Sequence, residues 1–110
     1  MGRTNYLGEF EELILTMVLI QGDDAYGNTV VKAIKEHQNR DVNLSSVHIT
    51  LYRLEEKGFL ESYMGGATKS RGGRKKRYFK ITNAGKVLLQ EMKDSRTNLW
   101  KLAPQLNFSR

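Results

Sequence analysis

Cysteine is absent from this 110-residue chain, which removes disulfides, thiolate zinc sites and cysteine nucleophiles together and suits a reducing compartment. Histidine occurs only at His37 and His48. With no repeated carboxylate spacing beside them, neither a zinc site nor a Ser/His/Asp triad is supported. No apolar run approaches the roughly 20 residues needed to span a bilayer, and the N-terminus has no basic start followed by an apolar block. The expectation is a soluble, cytoplasmic protein with no membrane partner. Gly65 to Ser70 falls short of a phosphate-cradling loop, because Thr68 stands where a glycine must precede Lys-Ser. Glu55 and Glu56 sit about 100° apart on one helix, on different faces, which argues against paired acid/base work. Neither an enzyme nor a cofactor is expected.

The charge that is present is sorted by sign. Between Leu7 and Asp24 the charged residues are Glu9, Glu11, Glu12, Asp23 and Asp24, all acidic. From Gly65 to Lys80 they are Lys69, Arg71, Arg74, Lys75, Lys76, Arg77 and Lys80, seven cations without an acid. The net charge of +6 therefore reads as a negative pole and a positive pole, and the one-sign cationic cluster favours a polyanion, above all nucleic acid.

A chain of this length supports one modest core. Tyr6 to Gln21 reads as a first helix, amphipathic at its start and apolar almost all round from Leu13 to Ile20. Such a helix must be buried on every side, a first hint that a second copy covers part of it. Gly22, Asp23 and Asp24 turn the chain, and either aspartate can cap a second helix from about Ala25 to Gln38, with Val30, Val31 and Ile34 inward. After a polar turn, Ser45 to Lys57 reads as a third helix, with Ser45 as N-cap candidate and Gly58 as its terminating glycine. Val47, Leu51 and Leu54 share its inward side, while Ser45, Ile49, Tyr52 and Glu56 face outward, flanked by Ser46, His48 and Arg53. These outward groups suit base edges in a major groove: Arg for guanine, Ser for several bases, Ile for a thymine methyl. For the helix alone, an ordinary amphipathic helix with a polar outer face is an equally good reading. Phe59 to Met64 and Arg77 to Ile81 read as strands around a glycine-rich basic loop, a hairpin with a cationic tip. Thr82 is the expected N-cap of a last helix, stopped by Pro104. Its stripe Leu88, Met92, Ser95, Leu99, Leu102 is either a heptad seam for a partner or a stripe packed on its own domain.

Four motifs in order, Ala25-Tyr26-Gly27, Leu51 to Gly58, Arg71 to Phe79 and Ile81 to Gly85, resemble the PadR-like family of bacterial transcriptional regulators over roughly Leu7 to Met92. The resemblance implies a mainly α (α+β) fold: a winged helix-turn-helix over residues 1–82 with a two-stranded wing, then a C-terminal dimerisation helix and tail over 83–110. It implies a homodimer that binds a palindromic operator in double-stranded DNA, usually as a repressor. Carried over by position, the DNA-binding set is Tyr26, Ser45, Ser46, His48, Ile49, Tyr52, Arg53, Lys69, Arg71, Arg74, Lys75 and Lys76. The dimer set is Leu7, Phe10, Ile14, Leu88, Met92, Leu99, Trp100 and Leu102. His48 departs from the tyrosine many members carry there, and a histidine can still donate to a phosphate, in a pH-sensitive way. Some short members take planar aromatic compounds between subunits; Trp100 lies where such a platform would form, although plain interface packing is its favoured reading. A winged-helix module docking an acidic protein partner is the alternative function, and unselective DNA packaging a third.

Overall fold

The computed structural model describes residues 7–65 and 75–108. Six elements follow in order: α1 (Glu9–Gln21), α2 (Gly27–Gln38), α3 (Leu44–Glu56), β1 (Leu60–Gly65), β2 (Lys76–Ile81) and α4 (Asn83–Leu102). A short 3-10 turn, Gly22–Asp24, joins α1 to α2. The strands pair antiparallel, Leu60 opposite Ile81 and Gly65 opposite Lys76, and form the root of the expected hairpin. Lys69, Arg71 and Arg74 at its tip lie outside the described residues.

One core holds the helices to the hairpin. Ile14, Leu15 and Val18 from α1, Val30 and Ile34 from α2, Val47, Leu51 and Leu54 from α3, and Phe79 from β2 are fully enclosed. The inward face expected of α3 is thus the buried one, joined by Thr50. Two starts differ from expectation. The third helix begins before Ser45, because the side-chain oxygen of Asn43 reaches across the first turn and accepts the Ser46 N–H at 3.1 Å, leaving Ser45 exposed in the first turn. The second begins at Gly27 and not under Asp23 or Asp24, which are taken up by the 3-10 turn; Thr29 Oγ1 instead accepts the Tyr26 N–H at 2.9 Å. At the far end of α3, Gly58 adopts φ 88°. Its N–H donates to Glu55 O at 3.0 Å and the Phe59 N–H donates to Leu54 O at 2.9 Å, the paired closure that a left-handed terminating residue permits.

The acidic pole expected from α1 is largely neutralised within the subunit. Each acid of its first turn takes a cation from a different segment: Glu9 pairs with Arg40 at 2.8 Å, Glu11 with Lys57 at 3.0 Å and Glu12 with Arg96 at 3.0 Å. Acids suit this position because the helix dipole presents positive charge there. The Arg40 hydrogen bond holds the Glu9 carboxyl below its ordinary range. Burial pushes Glu11 upward, but hydrogen bonds from Lys57 and from the Gly8 N–H, with the charges of Lys57 and Arg53, outweigh it and leave Glu11 lowered as well.

The apolar stretch Leu13 to Ile20 is mostly covered without a second copy. Ile14, Leu15, Met17 and Val18 are buried in the subunit, while Leu19 and Ile20 remain 43 % and 60 % exposed. The α4 stripe serves two purposes along its length. Leu88 and Met92 enter the subunit's own core, whereas Leu99 and Leu102 are 66 % and 82 % exposed. Thr82 caps α4 as expected, accepting the Gly85 N–H at 3.1 Å, and the helix ends before Pro104.

Candidate nucleic-acid interface

Ser45, Ser46, His48, Ile49, Tyr52 and Arg53 are all exposed along the outer side of α3. Ile49 and Tyr52 are 57 % and 47 % exposed, large apolar surface on a helix whose opposite side already fills the core. Burying them on that side is barred by the helical period, so their exposure is a property of the sequence pattern itself.

The hairpin is fastened to this surface at several points. The Tyr52 ring meets Phe79 of β2 edge-on, with centroids 5.6 Å apart, and leans toward His48 at 6.3 Å. The Arg77 guanidinium lies 5.8 Å from the Tyr52 ring centroid. Arg77 also donates to Ser62 Oγ at 2.9 Å, and Ser62 donates to the Glu55 carboxylate at 2.7 Å, so a polar chain runs from β2 through β1 to α3. In the sequence Arg77 is one of seven cations with nothing to mark it for this place. Nothing in the spacing of Glu55, Ser62 and Arg77 announces the chain, because it forms only once the strands pair.

A second aromatic group sits where α2 begins. Tyr26 meets Tyr78 edge-on at 5.2 Å, Tyr78 stacks on Tyr63 at 5.6 Å, and Lys76 Nζ lies 5.2 Å from the Tyr26 ring centroid. Tyr63 donates to Asp23 O at 3.2 Å, and the Phe79 N–H donates to Ala25 O at 2.9 Å. That backbone hydrogen bond ties the chain entering α2 to β2 of the two-stranded sheet. Tyr26, expected at the interface, is half-buried and carries Lys76 beside it. Lys75, Arg77 and Lys80 are exposed, which keeps the cationic side of the hairpin root open.

His48 rests on the start of α2. Gly27 is buried beneath it, and a Cβ added there would overlap the imidazole Nε2, with Leu44 Cδ1 at 3.0 Å. The glycine of the Ala25-Tyr26-Gly27 motif therefore permits a close crossing of α2 and α3. The rest of the His48 side chain is exposed.

Of the residues expected at the dimer face, Leu7, Ile14, Leu88 and Met92 lie in the subunit core, and Phe10 is half-buried with the Arg40 guanidinium 5.5 Å from its ring centroid. Leu99, Trp100 and Leu102 are exposed together at the end of α4. Among the described residues no group of three or more His, Cys, Asp or Glu is placed to hold a metal ion, and no helix is long and apolar enough to cross a membrane.

The Transcriptional regulator PadR-like family matches residues 14–91. A protein of uncharacterised function from Lysinibacillus sphaericus is 29% identical over 87 residues, covering 77% of this chain and 75% of its own length. Among solved structures, a PadR family transcription regulator from Clostridium difficile is 27% identical, with TM-score 0.72 over 86% of this chain and 94% of that one. A PadR-like transcriptional regulator from Bacillus cereus is 24% identical, with TM-score 0.68 over 84% and 85% of the two chains. PadR of Bacillus subtilis in complex with operator DNA shares the fold at 18% identity and TM-score 0.63, over 92% of this chain and 52% of that one. With the family match running from the middle of α1 to the middle of α4, through the outward side of α3 and both strands of the hairpin, this chain belongs to the PadR-like family of transcriptional regulators, proteins that control transcription and are not enzymes.

Proposed function

We propose that the protein is a homodimeric repressor acting in the cytoplasm, binding a palindromic operator in double-stranded DNA. The observation that carries the reading is the fastening of α3 to the hairpin through Tyr52, Phe79, Arg77, Ser62 and Glu55. It makes a base-reading surface and a cationic arm into one preformed unit, which lowers the ordering cost of engaging a groove and its flanking phosphates together.

In this reading Ser45, Ser46, His48, Ile49, Tyr52 and Arg53 enter a major groove. Arg53 suits a guanine edge and Ile49 a thymine methyl. Lys75 and Lys76, with Lys69, Arg71 and Arg74 beyond the described residues, take phosphates or the adjacent minor groove. Tyr26 supports Lys76 from below. Two subunits would place their α3 helices in half-sites about one turn apart, roughly 34 Å. The face for pairing is the exposed end of α4, where Leu99, Trp100 and Leu102 offer apolar surface that the subunit leaves uncovered. Phe10 lies at the half-buried edge of the core, and Leu7, Ile14, Leu88 and Met92, expected at the pairing face from sequence, fill the subunit's own core. Trp100, 58 % exposed, packs in that interface in the favoured reading, and is the group on which a planar aromatic effector would stack if one bound between subunits.

The alternative, a winged-helix module docking an acidic protein, accounts for the same cations and exposed side chains, but the match to a family of transcriptional regulators favours the first reading. Selection of bound fragments from the native genome, followed by footprinting, separates the readings. Protected sequences with twofold symmetry are expected. Recovery of fragments with no shared sequence would reject operator reading.

A further inference from the structure

The helix α4 leaves the body of the subunit after Met92, and every described residue from Lys93 to Leu102 is exposed. One turn beyond Met92, on the same i, i+4 ridge, the guanidinium of Arg96 reaches back to α1. Its two terminal nitrogens donate to the two carboxylate oxygens of Glu12, each at 3.0 Å. The carboxylate side is the better enclosed, with Glu12 23% and Arg96 55% exposed. A planar fork on a carboxylate fixes an angle as well as a distance, which a lysine would not. An exposed pair gains little from charge alone, and what this one adds comes from its two-pronged geometry, which holds the two helices at one angle.

We propose that the Glu12–Arg96 pair is a positioning device that sets the direction in which α4 departs, and through it the separation of the two α3 helices in the dimer. The inference rests on the dimeric, operator-binding reading and adds to it the basis of half-site spacing. Its leverage comes from length. From Met92 to Leu102 the helix runs about 15 Å, so a tilt of about 10° displaces its end by about 2.6 Å. Applied in both subunits of a twofold dimer, that motion exceeds one base-pair step of about 3.4 Å. The first turn of α1 is held to the body separately, by Glu9 on Arg40 and Glu11 on Lys57, so Glu12 is a fixed anchor and α4 the part that swings.

The chain has no cysteine, so Glu36→Cys, at an exposed position in α2 away from the outward side of α3, places one spin label per subunit and reports the separation of the two bodies that carry α3. Dipolar distance measurements on the labelled dimer are compared with Arg96→Gln and, independently, with Glu12→Gln. Binding is measured in parallel on operators whose half-sites are moved apart by one or two base pairs. The expected result is a narrow distance distribution and a spacing discrimination of about tenfold or more in the parent. In either neutral variant the distribution broadens and the discrimination falls within about threefold, with little change in melting temperature. The exchanged pair, Glu12→Arg with Arg96→Glu, should restore both. Unchanged distances and spacing profiles in a variant that still dimerises and binds would overturn this inference while leaving the operator reading intact, as would altered variants that the exchange fails to rescue. A parent that gives no intersubunit distance, or binds no operator, would remove the dimeric reading and this inference with it.

Discussion

The imidazole of His48 lies against the backbone of Gly27, close enough that a methyl group at Gly27 would come within 2.2 Å of its Nε2. Two consecutive helices of the DNA-binding unit therefore meet through a side chain that also faces outward. Gly27→Ala should displace the ring toward solvent and weaken operator affinity several-fold. The melting temperature should change little, since the clash is with the end of an exposed side chain. Fluorescence anisotropy and thermal melting on the same preparation check both halves; an unchanged affinity would show that His48 has no part in binding.

Arg53 and Lys76 should fail differently. Arg53→Ala is expected to cost about 1–3 kcal/mol on the preferred operator and to relax sequence preference, as loss of a base contact does. Lys76→Ala should weaken operator and random duplex about equally and reduce the salt slope by about one. Titrations of both variants on both duplexes test the assignment. Equal losses on the two duplexes for Arg53→Ala would return Arg53 to the phosphate backbone.

Gly85 sits in the first turn of α4, and a Cβ there would come 2.5 Å from Phe59 O and 2.7 Å from Ile81 Cγ1. Neither neighbour can retreat easily, since one is backbone and the other is a half-buried side chain under the hairpin. Gly85→Ala should destabilise the protein by about 1–3 kcal/mol, the usual cost of forcing atoms into packed space. Chemical denaturation measures it, and a stability equal to the parent's would mean that α4 is free to shift at its root.

Glu9 and Glu11 both have folded-state pKa values below the ordinary 4.5. A lowered carboxylate contributes stability that is present above its unfolded value and is lost as pH falls through its folded value. Melting temperatures should therefore be insensitive to these groups between pH 7 and about 5, and should decline below about 4.5 as both pairs are protonated. Glu9→Gln with Glu11→Gln should flatten that decline. An acid decline identical to the parent's would assign it to other carboxylates.

Most of the helical skeleton was legible in the sequence because periodicity carries it. Val47, Leu51 and Leu54 announced the buried side of α3, and Thr82 and Gly58 announced where elements start and stop. The caps of α2 and α3 were less legible. At the start of α3 only the packed geometry chose Asn43 over Ser45; at α2 neither aspartate caps the helix, and Thr29 from inside its first turn takes the Tyr26 N–H. Charge patterning misread α1, since the partners of Glu9, Glu11 and Glu12 lie 31, 46 and 84 residues away, beyond any local spacing rule. The chain from Glu55 through Ser62 to Arg77 spans only 7 and 15 residues at its two links, and was hidden because it forms only once the strands pair. The α4 stripe was ambiguous because its two halves serve different purposes, Leu88 and Met92 inward and Leu99 and Leu102 outward.

The central claim is that α3 and the cationic hairpin act together in selective binding of duplex DNA. Its most direct test is an anisotropy titration of the full chain against a duplex recovered from the native genome and against the same duplex scrambled, from 50 to 200 mM salt. The account predicts a clear preference for the recovered duplex at physiological salt. If about 6–10 phosphates are neutralised per dimer, affinity should fall by about 10³–10⁵ across that range. Equal affinity for both duplexes at physiological salt, or no binding to either, would contradict it.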